Sequence, residues 1–369
     1  MFACLYDKSL NALHKSVATY PTSKWSLTRK AYEFDELSIT TAMMDNSVKA
    51  MFIGLHNDDG SLKYLAFSGK PSSKEGMTTY NGTDLRQVFK QKLAINFNAT
   101  IEDGYYTVNG QSVYKTKLQR LYEYLMEMCV SSVMSGFGGS GLVASVDASD
   151  IGENAPTWND DWYDFTPGII DVWDSLQALN MMYDCYIVTD VNLATKKVIF
   201  KVKRITDEIS FKLSDFNEAK VINSSSITNC IEARHRSDSD DEYGILDDTY
   251  YLLSDDRIIS NSDLNSNTSY VIYPMRKETI LEDTAEKSVS KAVEKLMKNR
   301  FQGKVDINTD CAMGYLLKRI DLNTFGKVYG YNSADNDSYR RLPIMSIAED
   351  ETGKIRVSFG RLSQFWYAK

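Results

Sequence analysis

The sequence predicts an α+β chain, rich in β-structure, in which two strand-dominated regions flank a mixed centre. Three observations carry this reading. Apolar and polar residues alternate through most of the first hundred positions and again through the last sixty. Helical spacing of apolar residues is concentrated between them. The chain also holds 23 tyrosines, a residue suited to a pleated face with its ring packed and its hydroxyl in water. At 369 residues it is too long for one ordinary core, which predicts two or three domains.

Taken in order, "KWSLTRKAYEF" alternates Trp25, Leu27 and Arg29 with polar neighbours, and "LSIT", "KAMFIGL" and "KYLAFSG" follow as strands. The turn cluster "HNDDGS" between the last two predicts a hairpin. "YNGTDLRQVFKQK" predicts a strand end and then a short helix. Thr83 or Asp84 caps that helix, and Leu85, Val88 and Phe89 form its buried face. Over residues 115–133, Leu118, Leu121, Tyr122, Leu125, Met128 and Cys129 recur at the spacing of an amphipathic helix. The tract from Gly136 to Gly141 ends that helix, and "LVASVDASDIGENAP" after it is expected to be loop. A second helix is expected from Thr166, with Pro167 in its first turn and Ile169, Ile170, Trp173, Leu176 and Leu179 along one side. "YDCYIVTDVNLATKKVIFKVK" then predicts a hairpin.

Beyond it, "SITNCIEARH", "DTYYLLS" and "SYVIYPM" are strand candidates separated by polar runs. A helix at 284–300 is capped by Thr284 and buries Val289, Ala292, Val293 and Leu296. The remaining segments "GKVDIN", "YLLKRIDL", "GKVYGY", "LPIMSIAED" and "KIRVSFGRL" read as strands.

Bulk properties narrow the function. The net charge of −8 is spread along the chain, against the basic footprint that neutralising nucleic-acid phosphates requires. Cys4, Cys129, Cys185, Cys230 and Cys311 lie too far apart for a metal clamp or a disulfide framework, so free buried thiols are expected. No 18-residue apolar stretch spans a membrane, and "MFACLYDKSL" lacks the basic and apolar regions of a secretory signal, so synthesis in a reducing cytoplasm is expected.

Candidate chemistry is sparse. Gly136, Gly138 and Gly141 match G-x-G-x-x-G, but a helix rather than a strand precedes them, so the pyrophosphate cradle lacks its setting. His14, His56 and His235 have no partner at i, i+4. Asp160, Asp161 and Asp164 gather near Trp158 and Trp162, without the glycine turn and distal glutamate of a calcium loop. Asp238, Asp240, Asp241 and Glu242 read as a solvated acidic loop. No nucleophile elbow, P-loop or Cys–His–Asn signature occurs. The expectation is no enzyme, with no catalytic, cofactor-binding or metal-ligating residue and no cofactor.

The order of elements resembles phage tail hub proteins: the baseplate hub of contractile tails and the N-terminal hub part of tail-associated lysins. The residues that carry it are Tyr6 and Asp7 in "LYDKSL", Phe34, Ser38 and Ile39, and Gly82, Asp84 and Leu85 in a "G-x-D-L" strand end before a short helix. Leu176 and Leu179, "YIVTD…KKVIFKV", "SFKLSDFNEAKVINSSSITNCIEAR" and "GRLSQF" fit the later course. The resemblance implies two tube-forming β-barrel-like domains with α+β insertions, assembling as a trimeric ring.

The domains it implies are residues 1–112, a middle α+β domain over 113–215, and 216–369 with the helix near 284–300 inserted. It further implies a structural virion protein at the tail tip or baseplate that closes the tail tube around a channel for DNA, bound only in transit. Its expected partners are two further copies of itself, a distal tail protein or tube hexamer, and tape-measure or receptor-binding proteins. The lytic peptidase or glycosidase of tail-associated lysins has no counterpart in the sequence, and the glycine-rich stretch 136–155 matches nothing in the family. A host-receptor or carbohydrate-binding module, using Trp158, Trp162 and the nearby aspartates as its platform, is the alternative; a cytoplasmic enzyme is the third reading.

Overall fold

The computed structural model describes residues 1–13, 20–42, 50–95, 101, 103–108, 110–135, 143–152, 168–215, 219–222, 228–236, 243–253, 257–264, 276–300, 304–309, 320–330 and 339–360. The N-terminal strands are β1 (Phe2–Tyr6), β2 (Tyr20–Lys30), β3 (Glu36–Ala42), β4 (Phe52–His56), β5 (Leu62–Ser68), β6 (Ser72–Lys74) and β7 (Met77–Asp84). Six of them pair in the order β1-β4-β5-β7-β3-β2, and β2 returns to β1 through Phe2↔Pro21 and Ala3↔Tyr20. The pairings therefore close on themselves.

Alternation along these strands sorts their side chains into two faces. Leu5, Trp25, Leu27, Ile39, Ile53 and Leu55 turn inward and form one core. Their neighbours Cys4, Tyr6, Phe52 and Leu65 turn outward into a second core, shared with the middle of the chain. The β4–β5 hairpin turns at Gly60, whose φ of +88° favours glycine, and the Asp59 carboxylate accepts from Ser61 N.

The middle holds β8 (Lys92–Ile95), the hairpin β9 (Gly104–Val108) and β10 (Gln111–Lys115), α1 (Lys117–Ser135), β11 (Val143–Asp147), β12 (Gly168–Asp171), α2 (Val172–Met182), β13 (Cys185–Asn192) and β14 (Lys197–Arg204). Helix α1 buries Leu118, Leu121, Tyr122, Leu125 and Cys129 against α2 and the outer face of the N-terminal array, as its periodicity predicts. The β13–β14 hairpin also forms as expected.

Two expectations are corrected. Residues 143–147 are a strand, not loop: β11 lies parallel to β14, a pairing between distant segments that a five-residue pattern does not announce. The second helix begins at Val172, with Asp171 accepting from Asp174 N as its cap. Gly168–Asp171 instead pairs with β8, and Ile169 is exposed rather than on a helical face.

The last part contains β15 (Asp207–Lys212), β16 (Ala219–Ile222), β17 (Cys230–His235), β18 (Ile245–Leu252), β19 (Ile258–Ser260), β20 (Lys277–Glu282), α3 (Ala285–Lys298), β21 (Lys304–Thr309), β22 (Thr324–Tyr329), β23 (Tyr339–Asp350) and β24 (Ile355–Phe359). Strands β16, β21, β24, β23, β22 and β15 pair in that order, and β23 joins β2, so both arrays belong to one large sheet. The core of the C-terminal array contains Phe211, Ile307, Phe325, Ile344, Val357 and Phe359.

Strands β19, β18, β17 and β20 form a separate sheet, covered on one face by α3 through Ala292 and Leu296. Thr284 caps α3 by accepting from Lys287 N, as predicted. β20 carries no strand signal of its own: the apolar residues of "KETILE", Ile280 and Leu281, are adjacent, so no alternation marks it. The expected strands at "SYVIYPM" and over most of "YLLKRIDL" lie outside the described residues, whereas Ile320–Leu322 is not strand. Cys4, Cys185 and Cys230 are free and buried, and Cys129 is buried; Cys311 lies outside the described residues.

Candidate functional site

The glycine tract, the Trp158–Asp164 loop, the Asp238–Glu242 loop and His14 all lie outside the described residues. Helix α1 runs toward the glycines and strand β11 leaves them, the reverse of the order a dinucleotide cradle uses.

His56 is buried. Its Nδ1 lies 3.0 Å from the Gly60 carbonyl, so that nitrogen carries the proton, and Nε2 accepts from the Tyr6 hydroxyl at 2.7 Å. Phe2 stacks on the ring at 5.1 Å. Both nitrogens are engaged in holding β1, β4 and the turn together.

His235 belongs to a constellation that single residues did not announce. Its Nδ1 lies 2.5 Å from Asp247 Oδ1, and the Ser288 hydroxyl donates to Asp247 Oδ2 at 2.5 Å. The residue types are those of a catalytic triad, but their order is not. In a triad the imidazole stands between hydroxyl and carboxylate and takes the hydroxyl proton. Here the carboxylate stands between them, and Ser288 is fully buried in the first turn of α3. The arrangement ties α3 to its sheet and activates no nucleophile.

The densest polar cluster surrounds Arg86, just after β7. Asp84 accepts from Arg86 Nε at 2.7 Å and caps the short turn by accepting from Arg86 N at 2.8 Å. Asp35 takes the far end of the guanidinium at 2.6 Å. The remaining donors reach the carbonyls of Lys30, Glu33 and Ile187, so the cluster bolts the β2–β3 turn, β7 and β13 together. One buried cation faces two carboxylates. Burial pushes the Asp35 carboxyl up to about 6; the Arg86 charge opposes this and the Asp84 charge adds to it. Phe34 stacks on Trp173 at 4.2 Å, and that indole lies 5.9 Å from the guanidinium.

Surface cavities of about 370 and 390 Å³ open among the described residues. The first lies where β2 meets β23 and is lined by Trp25, Arg29, Lys63 and Glu349. Its cations already face carboxylates, Lys63 to Glu349 at 2.6 Å and Arg29 to Asp321 at 2.8 Å. In the second, at the β13–β14 turn, Asp190 is held by Lys201 at 2.6 Å. Among the described residues no group of three or more His, Cys, Asp or Glu side chains could hold a metal ion. None of their helices is long and apolar enough to cross a membrane.

What these residues build is a set of joints between sheets. The 43 kDa tail protein of prophage MuSo2 from Shewanella oneidensis superimposes over 98% of each chain, with a TM-score of 0.53 at 13% identity. The chain shares its fold with a prophage tail protein. Further solved structures of tail-protein type match across nearly the whole chain. Prophage tail protein gp18 from Listeria monocytogenes EGD-e matches at 10% identity and TM-score 0.49, over 98% of this chain and 94% of that one. A tail protein from Neisseria meningitidis MC58 matches at 9% and 0.49, over 98% and 96%. No family model and no curated protein matches the sequence.

Within this tail-protein fold, Gly82, Asp84 and Leu85 of the "G-x-D-L" strand end have physical roles. A Cβ on Gly82 would stand 2.7 Å from that of Ala66 inside the closed array. Asp84 holds Arg86, and Leu85 is buried in the shared core.

Proposed function

We propose that the chain is a structural component of a phage tail or tail-like particle, the hub that closes the tail tube at the baseplate. The observation that carries this is the shared fold over nearly the full length of both this chain and a prophage tail protein. The two six-strand arrays joined through β2 and β23 are read as two tube domains. Three copies then place six such units around an axis, a geometry able to match a sixfold tube on one side and a threefold tip on the other.

The sheet joints fit a load-bearing role, and the acidic balance fits a passage for DNA. Each copy carries −8, so three carry about −24, which repels a phosphate backbone from the wall rather than trapping it. The partners in this reading are the chain itself, a distal tail protein or tube hexamer, and tape-measure or tip proteins; the location is the virion.

The test is assembly. Three chains of 41.9 kDa give a particle of about 126 kDa by light scattering, with an axial channel in electron micrographs. Where the chain alone stays monomeric, the measurement is repeated with a purified tail-tube protein as template. Monomers in both conditions, or a channel lined by lysine and arginine, would overturn the reading.

A further inference from the structure

Large apolar side chains left in solvent by the described residues fall into two groups rather than being scattered. One is the β9–β10 hairpin, which exposes Tyr105 (77%), Val113 and Tyr114. The other is one end of the β19-β18-β17-β20 sheet, which exposes Tyr243 (74%), Ile245, Leu246 and Leu281. Only Ile169, on β12, lies outside both.

The hairpin has the features of an arm. Among the described residues β9 and β10 pair only with each other. Its base is fixed: the Arg120 guanidinium lies 4.4 Å over the Tyr106 ring, and Asp103 accepts from Lys117 N at the start of α1. From position 104 to 114 the sequence carries no charge. Natural edges are guarded by charge, and residues 104–114 supply none, with Lys115 at the base held by Glu123, which leaves the edge open to pairing.

The second surface is the face of the small sheet turned away from α3. Ile231 and Ala233 of β17 point to the helix, so Arg234 points away from it. Leu246 of β18 and Leu281 of β20 both stand opposite Arg234 in register, one on each side. An apolar pair thus flanks a guanidinium that Glu232 and the Gly244 carbonyl hold in place, a surface on which a tyrosine ring stacks as Tyr106 does on Arg120, itself paired with Glu123.

We propose that the β9–β10 hairpin of one copy lies on the Leu246–Arg234–Leu281 face of the next copy. This rests on the assembly reading above and names the contact by which copies meet. Two arguments select a second copy as the occupant. A contact between two different patches of one chain is heterologous and propagates around a ring, and this chain presents two such patches. Copies of net charge −8 repel one another, and an uncharged arm is the part that approaches a like-charged neighbour without electrostatic cost. Side chains of this size cover on the order of several hundred Å². That falls short of the ~1,000 Å² of a stable pairwise interface, so the contact is weak in a pair. It gains when ring closure lets each copy use both its arm and its patch.

The test is cross-linking of the full chain with a short bismaleimide. Tyr105→Cys and Leu246→Cys are prepared separately, with wild type as the control for native thiols. Both sites are on the surface, and unchanged melting temperatures verify folding. The expected result is a covalent dimer in the mixture of the two variants and none in either alone; the double variant gives a ladder that stops at three. A dimer from Tyr105→Cys alone would overturn the proposal, because it would mean that hairpins meet each other. Oligomers by light scattering without a mixed cross-link would overturn it and leave the assembly reading standing. Monomers without any cross-link, even with the tube template, would overturn both.

Discussion

Arg86 and Asp84 lie two residues apart, both buried, joined side chain to side chain at 2.7 Å and side chain to backbone at 2.8 Å. From this pair the guanidinium reaches the β2–β3 turn and, through the Ile187 carbonyl, strand β13. Removing one partner from such a cluster leaves the others buried and uncompensated. Arg86→Ala is expected to cost about 3–5 kcal/mol in urea unfolding of the full chain. Arg86→Lys should recover only part of it, since one ammonium cannot span two carboxylates and three carbonyls. A loss below about 1 kcal/mol for the alanine variant would contradict the joint.

Asp35 gives that cluster a pH dependence. Its folded-state pKa, about 6, lies above the ordinary 3.8, so the folded chain binds this proton more tightly than the unfolded chain. The resulting stabilisation is full below the unfolded value and is lost as pH rises through the folded one. Measured against Asp35→Asn, which is neutral throughout, wild type should lose up to about 3 kcal/mol between roughly pH 4 and 7. A gap between the two that does not change with pH would count against it.

Helix α3 separates burial from charge. Leu296 is fully buried, whereas Lys291 is exposed and paired with Glu282. Leu296→Ala should cost about 2–4 kcal/mol and Lys291→Ala within about half a kcal/mol, read from denaturant midpoints. Equal costs would mean that the helix faces are misassigned.

Gly82 probes the interior of the closed array. The β-carbon of an alanine there meets Ala66 at 2.7 Å and the Leu37 side chain at 3.0 Å. Gly82→Ala should therefore destabilise by roughly 1–3 kcal/mol through overpacking. Thermal melting checks it, and Gly82→Ala combined with Ala66→Gly should recover part of the loss.

Local features were legible in the sequence. Thr284 before "AEKSVSKAVEKLMK" carries its own helix start, and Asp84 its own cap. The misreadings have a common cause. Ile169 and Ile170 continue the helical spacing of Trp173 backwards, yet β8 claims them by pairing. Val143–Asp147 becomes a strand only because β14 stands beside it. The Arg86 cluster was invisible because Asp35 and Arg86 meet only after folding; Gly82, Asp84 and Leu85 were its one trace. His235, Asp247 and Ser288 likewise come together from three separate elements.

The β2–β23 pairing joins Ser26–Lys30 to Ser346–Asp350, segments from opposite ends of the chain. On a ribosome, the first array has all its strands once Asp84 has emerged, whereas the outer edge of β2 must wait for almost the entire remaining chain. At ordinary rates of synthesis that interval is on the order of tens of seconds. During it, a bare strand edge is open to any other nascent chain in the polysome. Arg29 and Lys30 sit on that edge, the kind of charge that discourages premature pairing. Lys30 has Glu33 and Glu36 at hand from the start, whereas Arg29 finds Asp321 only late. Arg29, which finishes in an ion pair with Asp321, thus begins as a guard on an unfinished protein.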